Sequence, residues 1–124
     1  MYAYTVKAKG TEDTIGMCEL SLVDRINGTA TLCRIYVDKA HRGKGIAEGM
    51  IKQILKFGFE DLKLRRIDLR VYAFNTPAIK CYEKLGFVKE GNIRQFTKFE
   101  DEYWDVLVYS MLADEWMRLV GTFN

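Results

Sequence analysis

The run "IYVDKAHRGKGIAEGMIKQIL", Ile35 to Leu55, constrains the fold more than any other stretch. A strand, a glycine-rich basic turn and a helix follow one another without a break. Past the turn, Ile46, Ala47, Met50, Ile51, Ile54, Leu55 and Gly58 recur at helical spacing on one face, while Glu48, Lys52, Gln53, Lys56 and Glu60 fall largely on the other. "RRIDLRVY" then reads as a strand with Ile67, Leu69 and Val71 on one face. Strand, helix and strand in succession predict a crossover, which places its helices on one side of a sheet if the usual right-handed rule holds. The class is therefore α/β.

A second helix follows with clear punctuation: Thr76 can cap it, Pro77 suits its first position and Gly86 suits a left-handed stop. Upstream, "YAYTVKAK" and "TIGMCELSLVD" read as strands joined at Gly10, and "RINGT" supplies an Asn-Gly turn into "ATLCRIYV". Downstream, "FVKEGNIRQF" and "YWDVLVYSML" close the chain as strands around the acidic turn "KFEDE". The expected order is β-β-β-α-β-α-β-β in a single domain over residues 1–124, with no internal repeat or linker. In "ATLCRIYV" the aliphatic residues fall at Leu32, Ile35 and Val37, so the period-2 phase slips between Leu32 and Ile35. A β-bulge contributes one extra residue of this kind; a short strand buried on both faces, where phase means little, is the other reading.

Composition excludes several classes. With 48% hydrophobic residues and a single proline the chain reads as an ordered globule, and a formal charge of +2 is too mild to predict nucleic-acid binding. Arg65, Arg66 and Arg70 alternate with acidic and apolar residues rather than forming a basic stripe. No apolar run approaches the roughly 20 residues of a membrane span, and "MYAYTVKAKG" alternates like a strand without a signal-peptide core. Cys18, Cys33 and Cys81 form neither a CxxC pair nor an even disulfide framework, which points to a reducing cytoplasm. His41 is the only histidine, so a histidine-based metal site or triad is not expected.

A glycine-rich turn that opens a helix presents backbone N–H groups with no intrahelical partner, at the positive end of the helix dipole. Phosphate is the natural guest. The spacing is not that of a nucleotide P-loop, since Lys44 is followed by Gly45, nor that of the dinucleotide fingerprint, since the pattern from Gly43 runs GxGxxE. A turn that merely starts a helix, with solvated lysines, is the plainer reading.

"RGKGIA", Arg42 to Ala47, resembles the [RQ]-x-x-G-x-[GA] signature of the GNAT superfamily of acyl-CoA N-acyltransferases. The run from Ile35 to Leu55 is similar to that family's bulged strand, pyrophosphate turn and helix. "LRVYAFNTPAIKCYEKLGFVKEG" is similar to the strand, asparagine, helix and "Y-E-K-x-G-F" block that follow in the same order. The resemblance runs from about Gly16 to the closing strands, and the nearest branches look like the bacterial spermidine and ribosomal-protein N-terminal acetyltransferases. It implies a mixed, mostly antiparallel twisted sheet with a central β-α-β-α cofactor-binding unit. It also implies acetyl-CoA as co-substrate, no metal, and a polyamine, protein N-terminus or small amine as acceptor.

The resemblance further implies roles for particular residues. Arg42, Gly43, Lys44, Gly45, Ile46 and Ala47 would hold the pyrophosphate of coenzyme A, with Gly45 and Ala47 small because it approaches the backbone there. Free backbone groups at Ile35, Tyr36 and Val37 would pair with the pantetheine arm, and one N–H would polarise the thioester carbonyl. Asn75 and Ala78 would contact the cofactor arm, Asn75 being equally readable as a turn residue. Tyr82 would touch the cofactor's sulfur and act as general acid, the other reading being a core-facing aromatic between Ile79 and Leu85. The family transfers the acyl group by direct attack, so Cys33 and Cys81 are read as small buried residues.

Several positions depart from the family. The polyamine-type relatives carry a glutamate where this chain has Thr31, which leaves Glu19 as the best carboxylate for a general base acting through water; a solvated strand glutamate is the alternative. The acidic turn Glu100, Asp101, Glu102 lacks the family's usual glycine and would either attract a cationic acceptor or simply be solvated. Only about forty residues precede the pyrophosphate turn, where the family usually has nearly twice that, so the first strand and the two helices that wall the acceptor site are expected to be absent. An uncovered sheet favours a homodimer, through the first strand and through Val106 and Val108 beside Trp104, unless "ADEWMRLVGTF" folds back as a cover. Two functions stay open: an N-acetyltransferase, or a catalytically weak acyl-CoA-binding module.

Overall fold

The computed structural model describes residues 1–123. Their packing divides into two compact units, Met1–Ile67 and the remainder from Asp68.

The first unit opens with β1 (Tyr2–Lys7), β2 (Thr14–Asp24) and β3 (Thr29–Val37), neighbours in that order and antiparallel throughout. A short 3₁₀ turn, Lys39–His41, leads to α1 (Ile46–Lys56), which runs into a π-type turn, Phe57–Asp61, closed by Leu62 N–H donating to the Phe57 carbonyl at 3.0 Å. The predicted stripe holds: Met50, Ile51, Ile54, Leu55 and Gly58 are buried. Two glycines let the helix lie close to the strands. A Cβ on Gly16 would stand 2.9 Å from Met50 Sδ, and one on Gly58 would stand 2.8 Å from Ile67 Cδ1 and 3.1 Å from Leu20 Cδ1. The Asn-Gly turn is present, with Gly28 at φ +74, and it is organised by Asp24. The Asp24 Oδ1 accepts from the N–H groups of Ile26 and Asn27, and the Asn27 bonds hold this carboxyl below its ordinary value.

The second unit contains most of β4 (Arg66–Tyr72), then α2 (Thr76–Leu85), β5 (Val88–Phe99), β6 (Glu102–Leu112) and α3 (Ala113–Phe123), its strands ordered β4-β6-β5. Two expectations change here. Asn75, not Thr76, is the N-cap of α2: its Oδ1 accepts from Ala78 N–H at 3.4 Å, and Pro77 falls within the first turn. The chain also ends on a helix rather than a strand. Glu115 Oε1 accepts from the Leu112 N–H at 2.8 Å, capping the start of α3, and Trp116 is buried. Leu119 packs against Gly86, where a Cβ would meet its Cδ1 at 2.6 Å, so "ADEWMRLVGTF" does fold back within its unit. Val106 and Leu107 are both buried, which removes Val106 from the surface expected to seek a partner.

The expected six strands and mixed α/β class are therefore present, with α3 added.

Candidate functional site

The phase slip in β3 is a bulge. Glu19 lies opposite Cys33 and Met17 opposite Tyr36, so two steps along β2 match three along β3. The extra residue lies at Arg34–Ile35, and Arg34 takes the left-handed conformation at φ +52. Few non-glycine residues adopt this conformation, and it re-aims the chain just before the turn. Beyond it Tyr36 and Val37 pair again with Met17 and Gly16.

The turn is pinned to the end of that strand: Arg42 Nε donates to the Val37 carbonyl at 3.0 Å. That carbonyl, expected to be open, already has one partner, and the Arg42 guanidinium is partly committed. Gly43 and Gly45 stand at φ +79 and +78, a conformation that costs other residues roughly 1–2 kcal/mol. Apart from the adjoining chain, no described atom lies within 4 Å of where a side chain on either would begin. Gly45 is the N-cap of α1 and offers no side-chain cap, so the first-turn amides at Ile46 and Ala47 face an uncapped opening. Arg42, Gly43, Lys44 and Gly45 are all exposed. Such a turn leaves the space beside both glycines open.

Glu19 is not the solvated strand glutamate of the alternative reading. It is 7% exposed, because β2 is buried on both faces at this point. Arg34 Nε approaches its Oε2 at 3.1 Å, yet the angle gives no aligned hydrogen bond, so Oε2 is buried without one. The distance establishes an ion pair; the angle shows that it is a loose one. Beside it, Cys18 is fully buried, and burial first, then Cys33 and Glu19, push its thiol up to about 12. Cys33 and Cys81, expected to be buried, are only partly so; Cys33 Sγ donates to Ser21 Oγ at 3.3 Å.

In the second unit, Asn75 and Ala78 engage each other in the cap of α2, which uses the Asn75 amide oxygen. Tyr82 is 7% exposed and meets Phe87 edge-on, ring centroids 6.0 Å apart. In the acidic turn, Glu102 Oε2 accepts from Trp104 Nε1 at 3.1 Å, and Glu100 adopts φ +54 where the family's glycine is missing. Among the described residues no group of three or more His, Cys, Asp and Glu is placed to hold a metal ion.

Glu19 is legible as a candidate from the sequence, whereas Arg34 is not. The signal was available only through register, because the bulge itself brings Arg34 to the glutamate.

The chain matches the model of the Acetyltransferase (GNAT) family over residues 2–87. It is 36% identical to the prophage-derived uncharacterized N-acetyltransferase YokL of Bacillus subtilis, over 89% of this chain and 62% of that protein. It is 31% identical to the spermidine N(1)-acetyltransferase of Vibrio cholerae, over 86% of this chain and 61% of that one. The chain thus spans under two thirds of the length of these relatives. A solved structure of a spermidine N-acetyltransferase SpeG mutant from Vibrio cholerae superposes with a TM-score of 0.87 at 29% identity, covering 95% of this chain and 69% of that one. With a bulged strand, a left-handed glycine turn and an uncapped helix in the order this fold requires, the chain belongs to the GNAT acetyltransferase family.

Proposed function

We propose that the chain is an N-acetyltransferase that transfers an acetyl group from acetyl-CoA to a primary amine by direct attack. The acceptor is a polyamine, a protein N-terminus or a small amine. The observation that carries this reading is the turn Arg42–Ala47. Two left-handed glycines with open space beside them lead into an uncapped helix start, and the whole is tied to a bulged strand. Backbone amides and helix dipole there suit the pyrophosphate of coenzyme A, with Lys44 adding charge.

In this reading the backbone at Ile35, Tyr36 and Val37 receives the pantetheine arm and supplies an N–H for the developing oxyanion. Asn75 and Ala78 flank the arm. Tyr82 donates a proton to the departing thiolate. Tyrosine is among the side chains that can serve as such an acid. Glu19 accepts the proton of the incoming ammonium through water. We also propose a cytoplasmic homodimer; no described helix is long and apolar enough to cross a membrane.

Gly45→Val tests the cofactor half. Open space around Gly45 means that a valine strains only the backbone, while its branches occupy the pyrophosphate's place. Calorimetry should show CoA affinity falling by about 10-fold or more in a folded variant, since one lost phosphate contact or cap is of that order. Unchanged affinity would exclude the phosphate turn. A second reading, a CoA-binding module of little activity, draws support from Thr31 in place of a glutamate and from Glu19 being engaged by Arg34.

A further inference from the structure

We infer that a cationic acceptor reaches Glu19 by displacing Arg34, so that Arg34 is a built-in competitor that restricts the site to cations. The inference rests on the acetyltransferase reading only for the name "acceptor"; the exchange itself is a binding event.

The register of the bulge makes the contact possible. Glu19 and Cys33 are opposite each other and so present their side chains on one face of the β2–β3 pair. In a regular strand the next residue, Arg34, would point to the other face. The extra residue and the left-handed backbone at Arg34 break that alternation, and its guanidinium meets the Glu19 carboxylate at 3.1 Å. The phase slip therefore places a positive charge on a carboxylate, besides shaping the end of the strand.

The two partners are unequal. The Glu19 side chain is 9% exposed and the Arg34 side chain 73%. A buried carboxylate left without a counter-charge is strongly disfavoured, so some cation must stay with Glu19. An exposed arginine is a weak holder of that post, because it gives up side-chain freedom and is screened by solvent and salt. The lack of an aligned hydrogen bond at Oε2 weakens it further. A primary ammonium is a compact charge with three donors and can address Oε2 itself or through one bridging water. Exchanging one cation for the other conserves charge at the site, whereas an uncharged molecule offers nothing to replace the guanidinium. Discrimination thus comes from the competitor as well as from the attraction. Once seated, the ammonium lies beside the carboxylate proposed to take its proton.

The test needs no variant at first. In the wild-type protein the Arg34 Nε–H resonance should move toward that of a free arginine as spermidine, and separately methylammonium, is added. A resonance unmoved by both at saturating concentration overturns the exchange. Arg34→Gln keeps the stem and removes the charge. Calorimetry should then show spermidine binding about 5-fold tighter, the scale of an exposed ion pair. KM should fall by the same factor and kcat should change little, a split that a merely structural role would not produce. Guanidinium ion should compete with spermidine in Arg34→Gly, where the vacated place is open and the left-handed backbone is relieved. Equal or weaker spermidine binding in a folded Arg34→Gln counts against the inference. CoA release by wild-type protein with an unmoved Arg34 resonance would retain the enzyme and discard the exchange. A moving resonance without CoA release from any amine would do the reverse.

Discussion

At the scale of single residues, Tyr109 and Tyr82 are both buried tyrosines. Tyr109 is 1% exposed and donates to Glu83 Oε2 at 2.8 Å; burial and that carboxylate push its phenol up to about 12. Such a group holds its proton and serves the packing of β6 on α2. Tyr82 is 7% exposed, with its ring against Phe87. On the proposed reading Tyr82→Phe keeps the ring and removes only the proton donor. Turnover should fall by ~10²-fold while CoA affinity barely changes. Steady-state kinetics alongside calorimetry checks both, and equal turnover would return Tyr82 to the role of a core aromatic. The candidate residues were legible unevenly. Gly43 and Gly45 announce themselves because few other residues tolerate their backbone angles. Glu19 and Arg34 read as surface charges on alternating strands, and only the register of the bulge reveals their pairing. Asn75 and Thr76 are both acceptable caps, and sequence alone does not decide between neighbours.

At the scale of elements, the β5–β6 hairpin carries avoidable strain. Phe99 pairs with Glu102, so Glu100 and Asp101 form a two-residue loop, and Glu100 takes φ +54. The first position of such loops favours glycine. The left-handed conformation costs a side-chain residue roughly 1–2 kcal/mol, against about 0.5–1 kcal/mol of extra chain entropy lost by glycine. Glu100→Gly should therefore raise stability by about 0.5–1 kcal/mol, read as a higher urea midpoint at constant slope. A lower midpoint would mean that the glutamate makes compensating contacts. The central helix and the strands were readable because their apolar periods are long and regular. The last helix was less so. Its first turn follows β6 directly, and the Glu115 cap and the seat for Leu119 on Gly86 are tertiary facts.

At the scale of the whole molecule, β1 is an edge of its unit, hydrogen-bonded among the described residues to β2 alone. Beside it runs an open groove of about 410 Å³ lined by Tyr2, Tyr4, Phe57 and Lys56 among others. An unpaired edge next to apolar surface favours pairing with a second copy. Light scattering at micromolar concentration should give twice the mass of the 14.4 kDa chain, and a monomer would remove the dimer from the proposal. Thiol release from acetyl-CoA by the purified chain tests the proposed chemistry itself. The amine panel should include a polyamine, an N-terminal peptide and an amino sugar. Amine-dependent release of CoA is expected with at least one of them, accompanied by the acetylated amine in the mass spectrum. CoA binding in calorimetry with no acetylated product from any amine would contradict it and leave the chain as a cofactor-binding module.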